Sequence, residues 1–148
     1  MNDTNLIVDP CSMKMALRKG DTGTACFRFG EYLEEGTVWF VVKESIKQPD
    51  SEAPIYKKWD FKGGSLLLIK VTEEESDKLS FGEVNSSCPR TRLYKDYIWA
   101  IKYAEHLKDE NGNFVGLGSV ITVIPRGFEK PPIFRVYPEI IEGPNSHE

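Results

Sequence analysis

Few side chains in this sequence of 148 residues have the type and spacing that chemistry demands. One group is Asp109-Glu110-Asn111-Gly112-Asn113, an oxygen-rich run of the kind that opens a calcium loop. Such a loop needs ligands at fixed alternate offsets and a closing bidentate Glu. No Glu follows at that place, so the run reads as the turn of a β-hairpin, for which Asn-Gly is a strong signal. A second group, Glu73, Glu74, Glu75 and Asp77, would suit a metal cluster or an acid–base pair. These residues open a short amphipathic helix, where acids complement the N-terminal dipole and face water.

His106 and His147 are the two histidines, and neither has Cys, His or carboxylate at ligand spacing. The cysteines Cys11, Cys26 and Cys88 are odd in number and lack a CxxC pair, which predicts thiols in a reducing compartment. No glycine pattern matches a phosphate-binding loop, and there is no G-x-S-x-G nucleophile elbow. The expectation is a non-enzymatic chain with no catalytic residue, no metal and no cofactor. Of the aromatic residues, Tyr56, Trp59 and Tyr94 are the candidates for stacking a sugar or another small ligand. Aromatic side chains also favour strands and fill sandwich cores, which is the competing reading.

The elements that would position these groups are short β-rich runs separated by turns. Met15 to Phe29 holds two runs around Lys19-Gly20-Asp21-Thr22-Gly23. In the second, Ala25, Phe27 and Phe29 share one face, and Thr24, Cys26 and Arg28 the other. Thr37 to Lys43 is apolar on both faces, as a central strand is. In Ile55 to Phe61, Ile55, Lys57, Trp59 and Phe61 alternate with Tyr56, Lys58 and Asp60. Gly63-Gly64 precedes a buried-type strand, Ser65 to Val71.

Thr72 with Glu75 predicts a capping box and a helix of about two turns ending at Leu79. Glu83 to Thr91 reads as a loop. Arg92 to Tyr103 is the longest predicted strand, returning after Asn111-Gly112 as Phe114 to Ile124, with Gly116 and Gly118 as bulge positions. Prolines 125, 131, 132, 138 and 144 argue against central strands in the C-terminal part. The expected organisation is an N-terminal extension (1–14), a β-sandwich domain (15–124) and a proline-rich C-terminal arm (125–148), frayed from Gly143 onward.

The bulk numbers limit the partners. At 40% hydrophobic and 28% charged, the chain is composed like a folded domain. A net charge of −4 provides no basic footprint for nucleic acid. No apolar run approaches the roughly 20 residues of a membrane helix. Met1 to Pro10 lacks the basic flank of a signal peptide, so synthesis in a cytoplasm is expected.

Thr72, Glu74, Leu79 and Gly82, followed by Tyr94, Asp96, Tyr97 and Ile98 and then the Asn111-Gly112 hairpin, form one junction. Its order resembles the segment T-x-E-D-T-x-x-L-x-x-G-x-Y-x-Y-D-I of small phage and prophage tail-associated proteins. The chain is similar over Met15 to Ile124 to the N-terminal β-sandwich domain of siphophage baseplate upper proteins. Tyr94 to Ile98 reads Y-x-D-Y-I where that family has Y-x-Y-D-I, and Glu83 to Arg90 is an insertion. The resemblance implies an immunoglobulin-like antiparallel β-sandwich with one short helix between strands. It also implies an assembly role, with other phage tail or baseplate proteins or a second copy as partners. The chain would be made in a bacterial cytoplasm and carried in a virion.

Two readings follow. In the first, a structural module binds partners through sheet edges and through Ile133, Phe134, Val136 and Tyr137 of the arm, with packing of that arm on its own domain as the alternative. In the second, a carbohydrate- or small-ligand-binding sandwich uses Tyr56, Trp59 or Tyr94.

Overall fold

The computed structural model describes residues 4–5, 7–9, 11–79, 94–125, 127 and 129–137. Expectations for Gly82, the loop 83–91, Cys88, Pro138, Pro144, His147 and the tail 143–148 lie outside the described residues. In chain order the strands are β1 (Thr4–Asn5), β2 (Ile7–Asp9), β3 (Lys14–Arg18), β4 (Gly23–Leu33), β5 (Gly36–Lys43), β6 (Ile55–Phe61) and β7 (Gly64–Val71). The helix α1 (Glu73–Asp77) follows, and then β8 (Lys95–Lys108), β9 (Phe114–Leu117), β10 (Ile121–Ile124) and β11 (Ile133–Tyr137).

The fold is all-β and sandwich-like. The smaller sheet has the order β1-β4-β7, and the larger β2-β3-β11-β8-β5-β6, with β9 and β10 also paired to β8. The period-two reading holds where one face meets the core. Ala25, Phe27 and Phe29 of β4 point inward, and Cys26 and Arg28 point to solvent. Between the sheets the ring of Trp99 lies 5.2 Å from Phe27 and 6.1 Å from Phe40, at tilted angles that avoid a face-to-face sandwich. Its indole Nε1 donates to the Met13 carbonyl at 3.1 Å, so the buried N–H is satisfied.

The capping box forms as expected. Thr72 Oγ1 accepts from the Glu75 amide at 3.2 Å, and Glu75 Oε1 accepts from the Thr72 amide at 2.9 Å. The turn after β3 docks on this helix. The Gly20 amide donates to the buried Ser76 hydroxyl at 2.6 Å, and Lys19 Nζ donates to the Leu79 carbonyl at 3.0 Å. The two runs flanking Gly20 do not pair with each other, because β3 joins the larger sheet and β4 the smaller.

The hairpin at Asn111-Gly112 also forms, with Gly112 at φ +82°. Asp109 Oδ1 accepts from the amides of Asn111 and Asn113, each at 2.9 Å, so this carboxylate serves the turn. The returning run is divided into β9 and β10, and the β8–β9 register skips Val115, next to Gly116.

The C-terminal segment departs most from its sequence reading. Ile133 to Tyr137 is not an arm; it is a strand inside the larger sheet, parallel to β3 and antiparallel to β8. Pro131 and Pro132 precede this strand, so its residues keep their N–H groups for both ladders. Two pairings, β3 with β11 and β1 with β4, are parallel, so the sandwich is mixed where purely antiparallel sheets were expected. The long chain between β3 and β11 supplies the connection that parallel neighbours need. Residues 4–5 and 7–9, assigned to an extension by sequence, pair with β4 and β3.

Candidate binding groove

On a strand paired at both sides, side chains directly opposite one another project from the same face. On β5 the inward residues are Val38, Phe40 and Val42, all buried. The outward ones, Trp39 and Val41, are only partly covered. On β8 the buried residues include Tyr97, Trp99 and Ile101, and Ile98, Ala100 and Lys102 face outward. The register places Tyr56, Val41 and Ala100 in one row across three strands and Lys58, Trp39 and Lys102 in the next.

A groove of about 330 Å³ lies over these rows. Val41 and Ala100 form its floor, and the small Ala100 side chain deepens it. Trp39, Tyr56 and Ile46 make one wall, and Val120 and Pro131 stand on the other side. Lys43 on the rim is ion-paired with Asp50. Lys58 and Lys102, flanking Trp39, have no ion-pair partner among the described residues.

The sequence-derived ligand residues are therefore separated. Tyr56 lines the groove. Trp59 points to the opposite face of β6 and packs against the core, so the two cannot form one platform. Tyr94 stacks under Arg135, whose guanidinium carbon lies 3.6 Å from the ring centroid, and meets Tyr137 edge-on at 5.8 Å. Arg135 is held in turn by Asp96, whose hydrogen bonds raise the arginine pKa further above its ordinary value. Of the four residues expected at an interface, Phe134 and Val136 are fully buried in the core and present no surface. Ile133 and Tyr137 lie on the outer face and are partly exposed. Trp39, Val41, Ile98 and Ala100 were missed as groove residues; the signal was that β5 and β8 are apolar on both faces.

A second cluster surrounds His106. Its Nε2 lies 2.9 Å from Thr37 Oγ1, and its Nδ1 lies 3.2 Å from Glu35 Oε1. An ionised carboxylate only accepts, so Nδ1 donates to Glu35, and Nε2 shares a hydrogen bond with the Thr37 hydroxyl. The His106 hydrogen bond, followed by the nearby Lys108 charge, holds the Glu35 carboxyl below its ordinary value. The sequence reading left His106 without a partner; the fold brings Thr37, Glu35 and, 3.7 Å from Nε2, Asp60 to it. The order hydroxyl, imidazole, carboxylate is that of an activated nucleophile. Thr37 is buried at 3% exposure, however, so its hydroxyl oxygen is closed to a substrate. The cluster ties β5 to the far end of β8.

Past this cluster the β8–β9 hairpin and β10 carry an exposed apolar surface. Leu107, Phe114, Val115, Leu117, Val120 and Ile121 are each 40–62% exposed. The Phe114 ring meets the His106 ring edge-on at 5.1 Å, which orients the base of the hairpin. Among the described residues no helix is long and apolar enough to cross a membrane. No family model, curated protein or solved structure matches the chain.

Proposed function

We propose that this chain is a non-enzymatic assembly module, built on an immunoglobulin-like sandwich and carried in a phage or prophage tail. The observation that carries the reading is the apolar surface of the hairpin and β10, from Leu107 to Ile121. Exposed apolar residues concentrated in one hairpin and its neighbouring strand support a contact role for that end of the domain. The strand order supports the immunoglobulin-like part. The neighbours β11-β8-β5-β6 correspond to strands G, F, C and C′ of a variable-type domain, and β4-β7 to strands B and E. The capped helix at Thr72 and the Tyr94–Ile98 junction support the tail assignment by their likeness to baseplate upper proteins.

The contact surface moves from the C-terminal strand, where Phe134 and Val136 are core residues, to the hairpin. Apolar side chains there would be covered by other tail proteins or by a second copy of the chain. The test is whether the chain travels with assembled particles when these are induced in the bacterium that carries the gene and pelleted. Recovery in the pellet is expected. Recovery only in the supernatant, with particles formed normally, overturns the reading.

A further inference from the structure

The groove on the outer face of β5, β6 and β8 is separate from the hairpin surface except at Val120, and its chemistry is different. Its volume of about 330 Å³ falls within the range of small-molecule sites, about 300–1,000 Å³. The floor, Val41 and Ala100, offers no hydrogen-bonding side chain. The unpaired charges beside it have one sign. Lys43 is neutralised by Asp50, and Lys58 and Lys102 stand directly across from Trp39 on either side with no ion-pair partner among the described residues. In a chain of net charge −4, an unpaired lysine lining an apolar groove, Lys102, with Lys58 on the same face beyond Trp39, selects an anionic group. A sugar would need several oriented polar partners for its hydroxyls, and the carboxylate lining the groove, Asp50, is already engaged by Lys43.

We propose that the groove binds a small amphiphilic anion, an alkyl or aryl body bearing one carboxylate. The body lies over Val41 and Ala100 against Tyr56 and Trp39, and the carboxylate sits beside Trp39 against Lys102. The indole of Trp39 then reports binding through its fluorescence. This inference does not depend on the assembly reading, and its failure leaves the hairpin account untouched.

The test is titration of the full chain with decanoate, kept below its micelle concentration, followed by tryptophan fluorescence and calorimetry, with decanol as the neutral control. Decanoate is expected to bind saturably, and decanol about tenfold more weakly, the difference one favourable ion pair makes. Lys102→Met should bring decanoate down to the decanol level and leave decanol unchanged. Ala100→Phe, which fills the floor, should abolish binding of both. Absence of decanoate binding, equal binding of decanol, or full decanoate binding by K102M overturns the proposal. If A100F does not fold, the K102M comparison decides alone, since Lys102 is outside the core.

Discussion

Arg135 on β11 grips Asp96 on β8 through two parallel hydrogen bonds, Nε to Oδ1 at 2.7 Å and Nη2 to Oδ2 at 3.0 Å. The two residues are directly opposed in the antiparallel register. This fork-to-fork contact, with Tyr94 stacked beneath the guanidinium, fastens the last described strand to the centre of the larger sheet. Replacing Asp96 with Ala leaves the guanidinium without its anion at a site only partly open to water. A loss of about 1–2 kcal/mol in chemical denaturation is expected, and an unchanged midpoint would mean the pair holds nothing.

Phe134 separates a core strand from a docking arm. Its side chain is fully buried, so Phe134→Ala should cost about 3–5 kcal/mol by removing a large core group. The mass in solution should not change. Ile133→Ser, one residue away on the outer face, should stay within about 0.5 kcal/mol. A near-neutral F134A would return this segment to the surface.

Gly36 is required by close approach. A Cβ at this position would overlap the Ala104 carbonyl oxygen and the Tyr103 ring, both on the paired strand β8. Neither a backbone carbonyl nor a ring packed between sheets yields easily, so Gly36→Ala should cost about 1–3 kcal/mol. Thermal melting of the variant measures it, and a wild-type melting temperature would show that the strands can separate locally.

Acid stability should depend on Glu35. Its carboxyl is held below the ordinary value of 4.5, first by the His106 hydrogen bond and then by Lys108. A lowered folded-state pKa means that the ionised carboxylate favours the folded chain above the ordinary carboxylate range. That contribution is lost as pH falls from the ordinary value through the lowered one. Glu35→Gln should therefore show a shallower decline of melting temperature across this acid window than wild type. Identical slopes would remove Glu35 from the acid response.

Much of the fold was legible because it rests on local rules. The two apolar faces of Thr37–Lys43, the Thr72–Glu75 capping box and the Asn111-Gly112 turn each depend on residues close in sequence, and each forms as read. The place of β11 was not legible, because local rules do not separate a proline that precedes a strand from one that forbids it, and prolines flank this one. The separation of Tyr56 from Trp59 was present in the alternation of β6, but which face met the core depends on the opposing sheet. The His106 cluster joins residues about seventy positions apart, a distance only the β5–β8 register closes. The groove was hidden for a related reason, since apolar residues on both faces of a strand show that it is central without showing what covers its outer face.

The assembly reading is tested most directly on the hairpin itself. Val115→Ser combined with Ile121→Ser changes two exposed side chains, so the melting temperature should stay at the wild-type value. The measurement is the fraction of each chain that pellets with induced particles. The account predicts that wild type pellets and that the folded double variant remains in the supernatant. Equal pelleting of the two chains, or no pelleting of wild type with particles that form normally, would contradict it.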